Sequence, residues 1–161
     1  MQTSLQIAGL GAVALLGVTI LPHATPLAPA PFQFQYAAKV VCGRSEGNFP
    51  VIAQPYATSI NVNNPSDSLT AQLRKWLVVT FPRGGQIPQP PHKEMRDTIL
   101  NRWALNTDCR DMMRRNGLQL PFFEGFLVLQ SDLSLDIVGV YTVPGGIDVV
   151  TIPERRVSVS R

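Results

Sequence analysis

The sequence predicts an all-β domain, an antiparallel immunoglobulin-like β-sandwich with one short helix, preceded by a single N-terminal transmembrane helix. Three observations carry this reading. Short apolar, β-branched and aromatic runs recur at near-regular spacing, bounded by Gly, Pro and Asn turns. Only one segment has helix start and stop signals, so the strand and helix alternation of a doubly wound sheet is missing. Residues 1 to 38 contain no Asp, Glu, Lys or Arg.

Within that charge-free start, Leu5 to Leu21 is broken only by Gln6, Thr19 and small residues. This run of about 17 residues spans roughly 25 Å as a helix, the short end of what crosses a bilayer. The flanks favour an uncleaved signal anchor over a signal peptide. MQTS has no cationic side chain, and prolines spoil the candidate cleavage sites at Ala24, Ala28 and Ala30. Gly11, Ala14 and Gly17 lie three apart, near one helix face, where small residues permit close packing against other membrane helices. Residues 22–31 (PHATPLAPAP) form a Pro/Ala linker, extended and semi-rigid. The boundaries expected are therefore 1–21 anchor, 22–31 linker and 32–161 β-domain.

Phe34 to Cys42 reads as the first strand, ended by Gly43, and Thr58 to Asn63 as the second, closed by the turn pair Asn64-Pro65. Leu73 to Phe81 places Leu77, Val79 and Phe81 on one face, before Pro82 and Gly84-Gly85. Thr98 to Leu105 is the next strand candidate. Asp108, with Asp111 three residues on, starts a short helix that runs through Met112 to Arg115 and stops at Asn116-Gly117. Gly125 to Gln130 and Leu133 to Val143 follow, expected as a hairpin around Ser131-Asp132. Ile147 to Ile152 comes after the Pro144-Gly145-Gly146 turn, and the terminal VSVS reads as a last edge strand.

Composition narrows the function classes. Of 161 residues, 45% are hydrophobic and 16% charged, against the usual quarter, and the net charge of +3 comes from scattered cations. A nucleic-acid platform, with aromatics interleaved among a cationic run, is not legible. No G-x-S-x-G elbow, P-loop or H-E-x-x-H occurs, and no carboxylate pair stands out for acid and base roles. The expectation is a protein without catalytic residues, cofactor or small-molecule substrate.

The two cysteines, Cys42 and Cys109, lack a CxxC partner, and the two histidines, His23 and His92, lie in proline-rich segments without ligand spacing. No metal site is expected. In an exported domain, one Cys42–Cys109 disulfide accounts for both thiols, the alternative being two buried free cysteines. Arg110, Arg114 and Arg115 on the helix, with Arg155 and Arg156 near the end, offer a basic patch for anionic lipid or an acidic partner; the competing reading is a solvated helix face.

YAAKVVCG from Tyr36, TSINVNNP from Thr58, DCRD from Asp108, GFLVLQS from Gly125 and LDIVGVYT from Leu135 occur in this order. Together these segments resemble a group of small exported bacterial proteins of uncharacterised function. That resemblance spans most of Tyr36 to Ile152 and implies a β-sandwich with its cysteines paired and no catalytic residues to carry over. Asn63 stands where the pattern INVHNP has histidine, which argues against a histidine site there.

The function expected is a non-catalytic accessory or structural subunit. It is held by a single span in the inner membrane, with its β-domain in the periplasm or outside the cell, where it binds or caps other subunits of a membrane complex. Lys39 and Arg44, the first cations after the anchor, argue for the opposite orientation, but folded domains translocate largely regardless of charge. The alternative is a secreted soluble module for glycan or protein, binding through a groove lined by Tyr56, Trp76 or Trp103. A hydrolase assembled from distant residues comes third.

Overall fold

The computed structural model describes residues 31–47, 51–80 and 89–157. The expected anchor over 1–21, its Gly11, Ala14 and Gly17 face and all of the linker but Pro31 lie outside those residues. Among the described residues, no helix is long and apolar enough to cross a membrane.

The described residues are mostly antiparallel β, with one short helix. The elements are β1 Phe34–Arg44, β2 Pro55–Asn63, β3 Ala71–Thr80, β4 Met95–Ile99, β5 Ala104–Asp108, α1 Cys109–Asn116, β6 Phe122–Ser131, β7 Asp136–Val143, β8 Gly146–Thr151 and β9 Arg155–Arg156. One ladder runs β4-β3-β6-β1-β9 and another β5-β2-β7-β8. They join where the end of β1 pairs with the start of β2, Gly43 with Tyr56 and Arg44 with Pro55.

Period-two burial explains why these segments are strands. Tyr36, Ala38, Val40 and Cys42 of β1 alternate with less buried residues, as do Leu73, Leu77 and Val79 of β3 and Phe123, Leu127 and Leu129 of β6. They share one core with Ile60, Val62 and Ile137 of the other ladder and with Met112 of α1. The helix keeps its expected limits. Asp108 caps it by accepting from the Asp111 amide at 2.8 Å, and Gly117 ends it in the left-handed region at φ 64°.

Three expectations are corrected. Thr98 to Leu105 is not one strand: β4 ends at Ile99, and a turn with Arg102 at φ 62° carries the chain to β5 in the other ladder. Buried Asn64 holds this crossing, its amide donating to the carbonyls of Leu69, Ile99 and Leu100 at 2.8, 3.1 and 3.2 Å. Ser131-Asp132 does not make a hairpin either, because β6 pairs with β1 and β3, and β7 with β2 and β8. Leu135, which is buried, and the Leu135 amide, which donates to the Tyr36 hydroxyl at 2.8 Å, draw the link across the core instead. The last strand pairs at Arg155–Arg156, directly ahead of VSVS, of which 158–160 lie outside the described residues. Phe81 lies outside them too.

Cys42 and Cys109 form a disulfide, with an S–S distance of 2.05 Å and Cα atoms 5.6 Å apart. It ties β1 to the first turn of α1.

Candidate interaction surfaces

The outward face of the first ladder is built from the alternate residues that the core does not take. Cross-strand register orders it in rows: Arg74, Gln130, Gln35 and Arg155; then Trp76, Val128 and Ala37; then Val78, Phe126 and Lys39. Side-chain hydrogen bonds run along the first row. Arg74 donates to Gln130 Oε1 from Nε at 2.9 Å and from Nη2 at 2.5 Å, and Gln130 Nε2 donates to Gln35 Oε1 at 2.7 Å. The Arg74 guanidinium lies 4.4 Å from the Phe32 ring centre and 5.7 Å from that of Trp76, while on the opposite side of the sheet, at its β9 edge, Arg156 lies 5.5 Å from Phe34. In the third row the Lys39 ammonium sits 5.4 Å from the Phe126 ring and 2.7 Å from Glu124 Oε2. Half-buried Trp76, exposed Phe126 and paired guanidiniums are residue types that carry energy at interfaces. Tyr56 and Trp103 do not join Trp76: Tyr56 packs edge-on against Phe122 at 6.0 Å, and Trp103 stands exposed in the β4–β5 turn.

A second surface is the free edge of the other ladder. Among the described residues β8 pairs only with β7, and all six of its residues are exposed. Ile147 is 68% exposed and Val149 61%; their cross-strand partners are Thr142 and Val140. Val150, on the opposite side, is 40% exposed. The strand contains neither Pro nor Lys, the residues that usually blunt an edge, and Asp148 is its one charge. Every second backbone amide and carbonyl of such an edge faces away from its neighbour and is open to a further strand.

The helix arginines are less available than the sequence suggests. Arg114 ion-pairs with Asp111, and Arg115 reaches Asp97 at 3.3 Å. Arg110 is exposed at a shallow cleft of about 250 Å³ lined also by Ala57, Thr58, Ser59, Asp108, Cys109 and Thr142. His92 lines a separate cleft of about 300 Å³ with Val79, Pro90, Pro91, Leu118 and Leu120. Among the described residues no group of three His, Cys, Asp or Glu side chains is placed to hold a metal ion.

Sequence reasoning misses one buried polar cluster. Lys75 is 1% exposed; its Nζ donates to Thr107 Oγ1 at 2.6 Å and forms an ion pair with Asp97 Oδ2 at 2.9 Å. Burial holds the Lys75 ammonium below its ordinary pKa, and Asp97 opposes that shift. A signal exists in the chain: Lys75 lies two residues before Leu77, on the face assigned to the core.

The chain matches no protein-family model, no curated protein and no solved structure.

Proposed function

We propose that this protein is a non-catalytic accessory subunit of a membrane complex. Residues 1–21 anchor it, and an extracytoplasmic immunoglobulin-like β-sandwich, made of the two ladders face to face, binds a partner protein along β8. The observation that carries the reading is the exposed edge of β8, with Ile147, Val149 and Val150 open to solvent on both sides. An edge of this kind is completed by an extended segment of another protein, whose backbone supplies affinity and whose alternate side chains supply specificity. A disulfide suits an oxidising compartment, the charge-free start suits an anchor, and the resemblance to exported bacterial proteins agrees with both.

The test combines intact mass with native size. Full-length protein extracted from membranes in mild detergent is expected to retain residues 1–21 and to migrate in an assembly larger than a detergent-bound monomer. Val149→Pro, at the exposed edge, removes one ladder donor and is expected to release the monomer with its disulfide intact. A wild-type chain that lacks its leader and runs as a free monomer defeats the proposal and favours the secreted soluble module.

A further inference from the structure

We propose that the end of the first ladder nearest the linker is a docking site for the anionic phospholipid headgroups of the membrane that holds the anchor. The site comprises Arg74 and Arg155 on the outward face, with Phe32 and Trp76, and Arg156 beside Phe34 around the β9 edge at the same end. This inference rests on reading residues 1–21 as a membrane span.

Three observations converge on it. The sequence scatters these arginines over more than eighty positions, and the fold brings them to one end of the ladder: the outward row Arg74, Gln130, Gln35, Arg155 crosses four strands, while Arg156, next along β9, turns to the opposite side of the sheet beside Phe34. No carboxylate among the described residues ion-pairs with any of the three. The nearest acids in sequence and register are engaged elsewhere. Glu154 Oε2 accepts from the hydroxyls of Tyr36 and Ser134, and Asp132 accepts from the Gln72 amide at 2.8 Å. A guanidinium offers a phosphate a flat, forked set of donors, and Gln130 with the Phe32 ring holds Arg74 in place for it.

The second observation is position. Phe32 and Phe34 come directly after the Pro/Ala linker, so the cluster sits where the chain arrives from its expected anchor. A linker of ten residues spans about 31 Å as a polyproline II stretch. The tether thus holds the arginines close to the bilayer at high effective concentration. The charge-free stretch before Lys39 supplies no acid to compete with lipid phosphate. The third observation is the aromatic set itself. Trp is favoured at the headgroup level of a bilayer, where an apolar ring and a polar handle are both accommodated, and Arg beside it adds attraction to anionic lipid.

Tryptophan fluorescence of the full chain tests this. Trp103 is exposed in a turn and is replaced in a Trp103→Phe background, leaving Trp76 as the only tryptophan of the two in the chain. The protein is reconstituted into nanodiscs of phosphatidylcholine, with or without phosphatidylglycerol, each carrying brominated lipid as quencher. Trp76 is expected to be quenched in the anionic discs, less so in about 1 M salt, and only to the phosphatidylcholine level in the variant R74Q/R155Q/R156Q. Because Arg74 also orders its row, R155Q/R156Q alone is measured too, with near-ultraviolet circular dichroism as the folding check. Its partition onto anionic lipid is expected to fall roughly tenfold or more.

Equal quenching with and without phosphatidylglycerol, or quenching unchanged in the folded double variant, overturns the inference. Resistance to alkaline extraction, measured on the same samples, reports the anchor separately. A chain that stays in the bilayer with Trp76 unquenched keeps the anchor and loses the docking site. A chain that is extracted, yet sediments with phosphatidylglycerol vesicles through these arginines, keeps the site and loses the anchor.

Discussion

Lys75 occupies a core position where a lysine is costly, and its surroundings show how that cost is offset. Thr107 takes one ammonium proton, Asp97 faces the charge, and Arg115 lies on the far oxygen of Asp97. Lys75→Ala leaves Thr107 without its donor and Asp97 with Arg115 alone, and opens a cavity, so unfolding in urea is expected to show a loss of roughly 3 kcal/mol. The pH dependence has a defined sign. The folded-state pKa of Lys75 lies below its ordinary value of 10.5, so between the two the unfolded chain binds more protons. Stability from this group therefore rises with pH across that window. The stability difference between wild type and Lys75→Met is expected to shift in favour of wild type as pH rises from neutrality toward that value. A flat difference would mean that Lys75 titrates alike in both states. Tyr36, whose hydroxyl is pushed up by burial, works in the opposite direction as pH passes its ordinary value of 10.0.

Among the elements, β6 is the one on which the first ladder depends. It pairs with β1 on one side and β3 on the other, and Gly125 sits opposite Val40 of β1 and Val79 of β3. A Cβ there would stand 2.1 Å from the Val78 carbonyl oxygen, a backbone atom that cannot step aside. Gly125→Ala is expected to cost roughly 3 kcal/mol by separating β6 from β3, visible as a lowered urea midpoint and faster amide exchange in both strands. A midpoint within error of wild type would show that the ladder relaxes around the methyl group. The helix α1 is legible in the sequence because capping is local chemistry: Asp108, Asp111 and Gly117 act on their own turn of chain. The hairpin expected around Ser131-Asp132 fails for the converse reason, since a two-residue gap between strands does not say whether the chain turns back or crosses to another ladder.

For the molecule as a whole, the Cys42–Cys109 bridge closes a loop with a sequence separation of 67 and joins β1 of one ladder to the helix that follows β5 of the other. In the chain-entropy account this is worth roughly 4 kcal/mol. Attack at the more accessible sulfur, Cys109, would have to expel a thiolate from Cys42, which is 1% exposed and a poor leaving group for that reason. Alkylation after mild thiol treatment is expected to leave both cysteines unmodified until the protein unfolds; labelling of the native protein would mark the bond as exchangeable. Most strand positions, the helix caps and the charge-free start can be read from composition and period because each depends on neighbours within a few residues. Pairing cannot, since Arg74 and Arg155, or Lys75 and Asp97, meet only when ladders form, and an alternating pattern states which face a residue takes without naming what lies opposite. The exposure of β8 belongs to the same class: GIDVVT reads as an ordinary strand, and only the order of strands leaves it at an edge.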